Sequence, residues 1–402
     1  MTVRKNIPGL RFPEFEGEWR ISKIGDIFKF KQGVQCAVDR QYLQGLEGRK
    51  RFIRIVDLTR HDEPFRFIDD PGCEHHVKEQ DLFMVRYGTP GVVGFGFSGV
   101  IANNLFRIIP LKVSNYNPSY FYQVFINKKA EIESLAGSST MPAINFGALE
   151  SLNIIYPSLP EQQKIAAFLT AVDDKIHQLT RKKALLEQYK KGVMQQLFSQ
   201  QLRFTDDAGN DFPNWEEKTL GEVFYAEKGK GISKSKIVEG GKYECVLYGE
   251  LYTKYNEVIY QVVSKTNELD GLKSEIGDLL IPCSTTTTGI DLANVTALNK
   301  KDVLLGGDIT VLRSHTKIDN VFYAYYLSNH KKEEIASYAQ GITIVHLYYS
   351  HIKHMIIDLP SLDEQSKIAS FLSAIDEKIN HVTTQLQHTQ QWKKGLLQQM
   401  FV

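Results

Sequence analysis

The sequence predicts a mixed α/β protein with two similar globular halves, two long antiparallel coiled-coil helices and a pseudo-two-fold internal repeat. Two observations lead to this fold class. A segment of 42 residues occurs twice without a gap, at 157–198 and at 360–401, and 22 of its positions are identical. Within each copy, apolar residues recur every seven positions, which is typical of helices that wind around each other.

The repeat continues outside this segment in a weaker form. Leu10-Arg-Phe12 matches Leu202-Arg-Phe204, and Trp19 matches Trp215. Each globular half has therefore diverged, while the helix that follows it has not. The predicted boundaries are 1–157 for the first globular domain, 158–200 for the first spacer helix, 201–360 for the second globular domain and 361–402 for the second spacer helix.

Short apolar runs between turn residues indicate the content of the globular halves. The predictions are strands at Lys50–Val56, Asp81–Val85 and Asp278–Pro282, aromatic helices at Phe121–Ile126 and Val321–Leu327, and loops at Gly88–Gly99 and Ser284–Gly289.

The repeated segments are predicted to be helices of roughly 40 residues each. Each begins with a Ser-x-x-Glu pattern, Ser158–Glu161 and Ser361–Glu364, which is typical of a capping box. A globular half lies between the helices, so the chain can fold back and pair them antiparallel. The predicted helix-pairing residues are Ile165, Val172, Leu179, Leu186 and Val193 in the first copy and Ile368, Ile375, Val382 and Leu396 in the second.

Lysines interrupt the apolar row beside these positions. Lys183, Lys190 and Lys393 fall where apolar residues are expected. They favour a partly exposed coiled-coil seam with a face left for other partners. The alternative is two core helices of a single bundle.

The composition excludes several classes of protein. The net charge of +1 gives no global field that attracts polyanions, so a nucleic-acid role needs charge gathered on one face. The four cysteines form no C-x-x-C pair, and reduced thiols are expected. There is no signal core and no apolar stretch long enough to span a membrane, so we expect a complete, cytoplasmic protein without a membrane role.

No motif in the sequence predicts catalysis. Gly94–Gly99 fits G-x-G-x-x-G, but no helix is expected after it, and we interpret it as a glycine-rich hairpin. The histidines lack metal-ligand spacing, so no metal site is predicted. We also find no pair of a nucleophile and a base. The chain is therefore predicted to be non-catalytic and to bind no cofactor.

Asn117–Tyr120 allows two interpretations. It differs by one residue from the Asn-Pro-Pro-Tyr motif of amino-methyltransferases, which hold a flipped base. The simpler interpretation is that Asn117, like Asp319 in the second half, caps a helix.

Polar, basic and aromatic residues in predicted loops form a plausible DNA-binding face. Amide and guanidinium groups suit base edges, while lysine and hydroxyl groups suit phosphates. The candidates are Lys31, Gln32, Gln35, Arg40, Arg54, Arg86, Tyr87, Thr89, Asn103 and Ser139 in the first half, and Lys228, Lys230, Ser233, Lys234, Tyr248, Lys254, Ser284, Thr285, Thr286 and Tyr348 in the second.

Taken together, these features resemble the specificity subunit of a Type I DNA restriction–modification enzyme. The resemblance covers the whole chain. Its most specific elements are Pro157–Lys164 and Pro360–Lys367, with Trp19 and Trp215 as entry residues. Tyr248–Leu251 resembles a motif of the family's recognition domains, from which the first half departs at Val56–Leu58.

The resemblance implies a division of labour. Two target-recognition domains each read half of a bipartite site in double-stranded DNA, and the helices separate them and dock two modification subunits. Those subunits bind S-adenosylmethionine and methylate adenine, and restriction subunits add cleavage driven by ATP with Mg. Such a system serves bacterial defence against foreign DNA.

Two other functions remain open at this point. One is a coiled-coil scaffold without DNA readout. The other is a self-contained DNA methyltransferase built around Asn117–Tyr120, which would bind S-adenosylmethionine by itself.

Overall fold

The chain divides into two compact units, and each contains parts of both long helices. The computed structural model describes residues 6–60, 62–137 and 142–402. Unit one comprises residues 1–181 and 383–402, and unit two comprises residues 182–382. None of the helices in the described ranges is both long enough and apolar enough to cross a membrane.

The described residues of unit one form two four-stranded sheets and one two-stranded sheet. In strand order the four-stranded sheets are β2-β9-β6-β7 and β4-β3-β8-β5, and β1 pairs with β10. The strands are β1 (Arg20–Lys23), β2 (Phe28–Gln32), β3 (Arg49–Ile53), β4 (Arg66–Asp69), β5 (His76–Val77), β6 (Leu82–Val85), β7 (Val93–Gly94), β8 (Gly99–Ile101), β9 (Leu105–Pro110) and β10 (Asn153–Tyr156).

Unit two repeats this plan with additions. The corresponding sheets are β12-β21-β17-β19-β14, β15-β13-β20-β16 and β11-β23, and β18 pairs with β22. The strands are β11 (Glu216–Thr219), β12 (Phe224–Lys228), β13 (Tyr243–Val246), β14 (Val258–Ile259), β15 (Ser264–Thr266), β16 (Leu272–Lys273), β17 (Asp278–Pro282), β18 (Ser284–Thr285), β19 (Thr296–Leu298), β20 (Leu304–Leu305), β21 (Ile309–Ser314), β22 (Val345–His346) and β23 (Ile356–Leu359).

Two long helices occur in the ranges that the structure describes, and the other helices there are short. The first long helix is Leu159–Phe198 and the second long helix is Leu362–Met400. The short helices are Ile24–Ile27, Ile55–Thr59, Pro118–Asn127, Lys129–Ser134, Phe146–Ser151, Leu220–Val223, Glu250–Thr253, Gly289–Leu292, Asn320–Tyr325, Lys332–Ser337 and Tyr349–Ile352, with a π turn at Tyr326–His330 and 3₁₀ turns at Val38–Arg40, Cys73–His75, Val113–Asn115 and Lys234–Lys236.

The local predictions are confirmed where apolar runs are long. The predicted strand Asp278–Pro282 is β17, and the predicted aromatic helix at Phe121–Ile126 lies within Pro118–Asn127. The second aromatic helix begins at Asn320 and passes into the π turn. Both predicted N-caps are present: the Asn117 side chain accepts a hydrogen bond from the backbone of Tyr120, and that of Asp319 accepts from two backbone N–H groups.

Three local predictions were wrong. The strand predicted at Lys50–Val56 ends at Ile53, because the Asp57 carboxylate accepts from the Arg54 backbone at 2.8 Å and starts a helix. Gly94–Gly99 is not a hairpin, since β7 pairs with β6 whereas β8 pairs with β3 and β5. The predicted loops contain β7 and β18, and β18 finds its partner β22 about 60 residues further along the chain.

The two long helices run antiparallel. In unit one, the first half of one helix packs with the last turns of the other, and unit two contains the remaining halves. Eight of the nine predicted helix-pairing residues are buried, and the ninth, Leu186, is half-buried. Val193, Met194, Leu197 and Phe198 belong to the core of unit two, and Leu396, Met400 and Phe401 belong to that of unit one.

Two of the three lysines that interrupt the apolar row are engaged in ion pairs between the helices. In unit one, Lys393 Nζ lies 2.6 Å from Asp173 Oδ1. In unit two, the repeat-equivalent Lys190 lies 2.8 Å from Asp376 and 3.1 Å from Glu257. Burial alone lowers the pKa of Lys190, but the two carboxylates outweigh it and the pKa is raised, so the ammonium stays charged. Such pairs favour one register of a coiled coil.

A buried carboxylate fixes the start of the first long helix. Glu161 is 2% exposed and accepts hydrogen bonds from Arg11 Nε at 2.7 Å, Arg11 Nη2 at 2.8 Å and Trp19 Nε1 at 3.2 Å. The next residue, Gln162, accepts from the backbone N–H of Asn117 at 3.1 Å. The entry segment and the aromatic helix are thus both attached to this helix start.

Unit two has the same arrangement. Glu364 is fully buried and accepts from Arg203 Nε at 3.0 Å and from Trp215 Nε1 at 2.9 Å, and Gln365 accepts from the backbone of Asp319 at 2.9 Å. The predicted capping boxes are therefore corrected. Ser361 does accept from the Glu364 backbone at 3.4 Å, but the glutamate side chain binds arginine and tryptophan instead of returning to the helix start.

In each unit, an equivalent backbone hydrogen bond connects the end of one long helix to the segment that leads into the globular part. In unit two, Leu202 N donates to Gln196 O at 3.1 Å, across the short link that follows the first long helix. In unit one, Leu10 N donates to Gln399 O at 2.9 Å, although these residues lie near opposite ends of the chain.

The buried carboxylate generates a stability prediction. Glu364→Gln should lower the free energy of unfolding of unit two by on the order of 3 kcal/mol, because Arg203 loses its counter-charge in a buried pair. The measurement is urea unfolding of the full chain followed by tryptophan fluorescence. The matched control is the exposed Asp363→Asn in the same helix turn, which should cost less than about 1 kcal/mol. Equal losses in the two variants would contradict this role for Glu364.

The repeat also offers an internal comparison of ion pairs. Lys190→Ala should destabilise the chain by on the order of 3 kcal/mol, because it leaves two largely buried carboxylates, 15% and 17% exposed, without a cation. Lys393→Ala leaves only Asp173, whose side chain is 35% exposed, and should cost about 1 kcal/mol. Denaturant midpoints of the two variants, measured together with the parent chain, test this order. A larger loss for Lys393→Ala would show that charge burial is not the cause.

Candidate nucleic-acid interface

Both units hold their candidate residues on one backbone arrangement, which we call the frame. In unit one, the frame consists of hydrogen bonds from Gly33 N to Leu105 O, Val34 N to Ile101 O, Arg86 N to Asn104 O and Ile144 N to Arg86 O. In unit two, the equivalents are Gly229 N to Ile309 O, Lys230 N to Leu305 O, Cys283 N to Asp308 O and Leu347 N to Cys283 O. The frame therefore aligns the units residue by residue, including at positions where their sequences differ.

One glycine in each frame is required by space. A Cβ added to Gly33 would lie 2.2 Å from the carbonyl oxygen of Ala102, and one added to Gly229 would lie 2.1 Å from that of Gly306. Any side chain here would push apart the strand end and the turn before β9 or β21. The close approach brings the ends of β2 and β12 against the turns that carry the polar residues.

The structure brings four predicted residues of unit one together. Gln32 accepts a hydrogen bond from Arg86 Nη1 at 2.8 Å and donates to the backbone carbonyl of Asn103. The Asn103 side chain in turn donates to Gln35. Arg86 also donates to the Ile144 carbonyl at 3.3 Å, and its guanidinium lies 4.4 Å from the ring centre of Phe146. Arg86 therefore supports the cluster, and the exposed Gln35 lies at its outer end.

The other candidates of unit one lie around or away from this cluster. Tyr87 follows Arg86 and bridges to Ala143, and Thr89 is exposed. Arg40 shares a cavity of about 380 Å³ with Gln35. Lys31 and Arg54 are not part of the cluster, because Lys31 donates to the Glu74 carbonyl and Arg54 to Asp57 and the Pro64 carbonyl. Ser139 lies outside the described residues.

Unit two places a different set of side chains on the same frame. Lys228, equivalent to Gln32, lies 3.8 Å from Asp308 and 5.7 Å from the ring centre of Tyr348. Ser284 donates to Asp308 at 3.2 Å. The Tyr348 hydroxyl lies 3.2 Å from His346 Nδ1, and the two rings stack. A cationic, hydroxyl and aromatic surface therefore replaces the amide and guanidinium surface of unit one.

A second group of candidates in unit two lines a cavity of about 740 Å³. The predicted residues in its wall are Ser233, Lys234, Tyr248 and Lys254. Lys254 donates to the buried Glu250 carboxylate at 2.7 Å, and Tyr248 is 37% exposed. Asp308 lines this cavity and also contacts Lys228, so the cavity adjoins the frame.

The remaining candidates of unit two differ in how exposed their side chains are to solvent. Lys230 and Thr286 are exposed and available to a partner. Thr285 is 3% exposed and its hydroxyl pairs with that of Thr287 at 2.7 Å. Thr285 therefore shapes the loop instead of facing outwards.

The chemistry of the frame is that of binding. Burial raises the pKa of the Cys36 thiol and of the Cys283 thiol, so neither is a thiolate nucleophile at neutral pH. Among the residues that the structure describes, no group of three or more histidine, cysteine or acidic side chains is placed to hold a metal ion.

Asn117–Tyr120 is closed to a substrate. The Asn117 side chain caps its helix, and its backbone is bonded to Gln162. The Tyr120 ring is fully buried and packs against Trp19 and Phe401. A flipped base therefore has no access to this segment, and its resemblance to a methyltransferase motif reflects helix capping.

Sequence reasoning missed several residues of the frame. Asp308, His346 and Phe146 contact the candidates directly but were not predicted as residues of the DNA-binding face. A signal for Asp308 existed, because the turns Ala102-Asn-Asn104 and Gly306-Gly-Asp308 precede equivalent strands. His346 and Phe146 gave none, since they follow loops of different composition.

Comparisons with known proteins agree across the chain. A family model described as the Type I restriction modification DNA specificity domain matches residues 16–188 and again 213–389. The Type I restriction enzyme MjaVIII specificity subunit of Methanocaldococcus jannaschii is 24% identical over 406 residues, which cover 98% of this chain and 93% of the relative.

Two solved structures have the same fold. The S subunit of a Type-I restriction-modification system from M. genitalium superposes with a TM-score of 0.65 at 17% identity and covers 98% of this chain and 99% of its own. A chain from a study of complex assembly and conformational transition of the type I R-M system superposes with a TM-score of 0.52 at 15% identity, covering 95% and 96%.

Proposed function

Because the chain belongs to the family of Type I restriction–modification DNA specificity proteins, we propose that it recognises a bipartite site in double-stranded DNA, one half-site per compact unit. The family assignment makes the chain a non-catalytic subunit with a DNA-recognition role inside a larger assembly.

One observation carries the proposal of two separate half-sites. The two units share the frame, yet the frame presents Gln32, Gln35 and Asn103 in one unit and Lys228, Ser284 and Tyr348 in the other. Amide groups suit bidentate contacts to base edges, whereas lysine and hydroxyl groups suit phosphates and single base contacts. Among these residues Gln32 and Lys228 occupy equivalent positions, and the others come from different positions around the same backbone. Different hydrogen-bonding groups on one shared backbone are what two domains that recognise different sequences require.

We propose that the long helices form the surface that binds the other subunits of the enzyme. Two modification subunits dock on them, and restriction subunits join through these. S-adenosylmethionine, ATP and Mg belong to those partners, and this chain binds none of them. The assembly works in the cytoplasm, where the DNA is. The domain boundaries 1–157, 158–200, 201–360 and 361–402 remain predictions.

Base readout is tested by variants of the two frames. The double variant Gln35→Ala, Asn103→Ala should relax the sequence in one half-site only, because its amides read base edges in this proposal. Adenine methylation is mapped across the genome of cells that co-express the chain and the modification subunit. Gln44→Ala, an exposed glutamine outside the frame, is the control and should leave the motif unchanged.

Lysines of unit two should act differently. Lys228→Ala with Lys230→Ala should weaken binding to all DNA sequences and reduce the slope of log affinity against log salt by about two. Fluorescence anisotropy of labelled duplexes over a salt series measures this slope. An altered methylation motif with an unchanged slope would assign these lysines to base readout. Methylation that continues without this chain would contradict the proposed function altogether.

Helix length is expected to set the gap between the half-sites. Residues 181–187 and 384–390 form one heptad in each helix and lie between the two ion-paired positions, so deleting both keeps both ion pairs in register. Each helix becomes about 10 Å shorter, which corresponds to about three base pairs. The methylated motif should therefore have a gap shorter by about three base pairs. An unchanged gap would show that the helices do not act as the spacer.

A further inference from the structure

Unit one has a cavity lined by cationic side chains, which strands β3, β5 and β8 carry. We call it the cationic cavity. Its volume is about 410 Å³, and no carboxylate is among its lining residues. These residues are Arg49, Lys50, Arg51, His76, Val77, Lys78, Ser98 and Gly99.

Arg51 lines this cavity without a counter-charge. The side chain is half-buried, and its guanidinium lies 3.9 Å from the ring centre of Phe65 and 5.4 Å from that of Phe97. Its Nε is shielded from solvent and donates no hydrogen bond, and the side chain forms no ion pair with any residue that the structure describes. A cation withdrawn from water is unfavourable unless an anion compensates it. The guanidinium is therefore placed to receive an anion from outside the chain.

The other basic residues of the cavity add to this excess of positive charge. Arg49 Nε lies 3.5 Å from Asp69, and Lys50 Nζ lies 3.8 Å from Asp70. Lys78 is exposed and, within the described parts of the chain, forms no ion pair. Together with the unpaired arginine, four lysine and arginine side chains therefore meet only these two carboxylates.

The repeat shows that this charge is a property of unit one alone. β3 pairs with β8 as β13 pairs with β20, and this register aligns Arg51 with Glu244. Glu244 lies 2.6 Å from Lys300, so the charge in unit two is compensated inside the chain. At the same position, unit one carries the opposite charge and lacks the internal partner.

Two further positions of the cavity differ in the same way. The register of β5 and β16 aligns Lys78 with Glu275, and Asp302 takes the place of Ser98. In unit two, these carboxylates lie 3.3 Å from an arginine and 3.4 Å from a lysine of the same unit. The equivalent surface of unit two is thus acidic and internally paired, and an anion is expected only at unit one.

The cationic cavity lies next to the surface that the frame presents. The Asp69 carboxylate that contacts Arg49 also lines the cavity that contains Gln35. Gly99 of the cationic cavity precedes Asn103 of the frame by four residues, which span at most roughly 13 Å. This distance corresponds to about four base pairs. A duplex that contacts the frame therefore has backbone phosphates within reach of the cavity.

We propose that the cationic cavity binds one backbone phosphate of the DNA beside the half-site that unit one reads, with Arg51 and Lys78 as its ligands. This proposal rests on the proposed function and adds a contact that unit two does not make at the equivalent position. A guanidinium held against the ring of Phe65 is oriented before DNA arrives, and its planar fork can donate two hydrogen bonds to phosphate oxygens.

The test uses the full chain in complex with the modification subunit and short duplexes that carry the methylated motif. Each backbone phosphate near the half-site of unit one is replaced in turn by a neutral methylphosphonate, and fluorescence anisotropy measures the Kd. We expect about tenfold weaker binding for one phosphate, or for two neighbours, within about four base pairs of the bases that the frame reads.

The variant Arg51→Gln connects this phosphate to the cavity. It should weaken binding of the unmodified duplex by about tenfold, and the methylphosphonate at the sensitive position should then have no further effect, because the interaction is already lost. A variant that keeps the parent's sensitivity to every phosphate would overturn the proposal.

Two other variants serve as a control and as a second test. Arg20→Gln removes an exposed arginine of unit one that does not line the cavity, and it should leave the affinity and the phosphate map unchanged. Lys78→Gln alters an exposed side chain that the fold does not depend on, and it should reduce sensitivity at the same phosphate as Arg51→Gln. The methylated motif should stay the same in all three, since backbone contacts carry no sequence information. A changed motif in Arg51→Gln would assign Arg51 to base readout and overturn the proposal.

Inorganic phosphate distinguishes the DNA backbone from a small phosphate compound as the ligand. If phosphate raises the thermal midpoint of the parent chain but not of Arg51→Gln, and the phosphate maps of the two are equal, the cavity binds a small anion and the DNA proposal is wrong.

The two proposals fail in different ways. If the parent complex methylates a split motif and neither Arg51→Gln nor Lys78→Gln changes the phosphate map, only the proposal for the cationic cavity is wrong. If the parent complex forms but gives no methylation that depends on this chain, the proposed function is wrong.

Discussion

The buried glutamate at the start of each long helix is the interaction on which each unit depends. Its carboxylate holds an arginine and a tryptophan from the entry segment, about 150 residues away in the chain. The glutamine that follows holds the backbone at the start of the aromatic helix. Two adjacent side chains thereby join the entry segment, the aromatic helix and the long helix. A buried charge is stable only when its hydrogen-bonding capacity is met, so these three elements are positioned together.

These contacts of the glutamate and the glutamine explain how the globular parts diverged without losing their fold. The cores and the backbone hydrogen bonds of the frame are shared, whereas the side chains that the frame presents are not. Gln32 and Lys228 leave equivalent strands at equivalent points and meet different neighbours. Changing such a residue alters the surface and leaves the frame intact. The helices are subject to a different constraint, because each must match the opposite helix and both units at once.

The fold was largely predictable from the sequence, whereas the candidate site was predictable only in part. Heptads such as Ile165, Val172 and Leu179 identify a helix and its buried side because their period is local. The cluster of Gln32, Arg86 and Asn103 contains residues that were named, but their contacts depend on strand pairing between distant segments. The capping boxes were wrong because Glu161 and Glu364 bind partners far away in the chain, and a short motif contains no information about them. Lys190 was identified as a polar interruption, but its partner Glu257 lies in a loop with no pattern.

The hydrogen bond from Leu10 to Gln399 joins two segments of unit one that are far apart in the chain. Unit two has a covalent link at the corresponding place, between the end of the first long helix and Leu202, whereas unit one has this hydrogen bond together with core packing such as that of Phe401 on Tyr120. The same junction is thus made once by a covalent link and once by a non-covalent contact. A covalent link between the two segments at this junction of unit one would act mainly through the unfolded chain, by removing the entropic cost of closing the loop. This cost changes slowly with the number of residues in the loop. Each unit is therefore completed in an equivalent way, although the polypeptide is continuous at one of the two junctions and interrupted at the other.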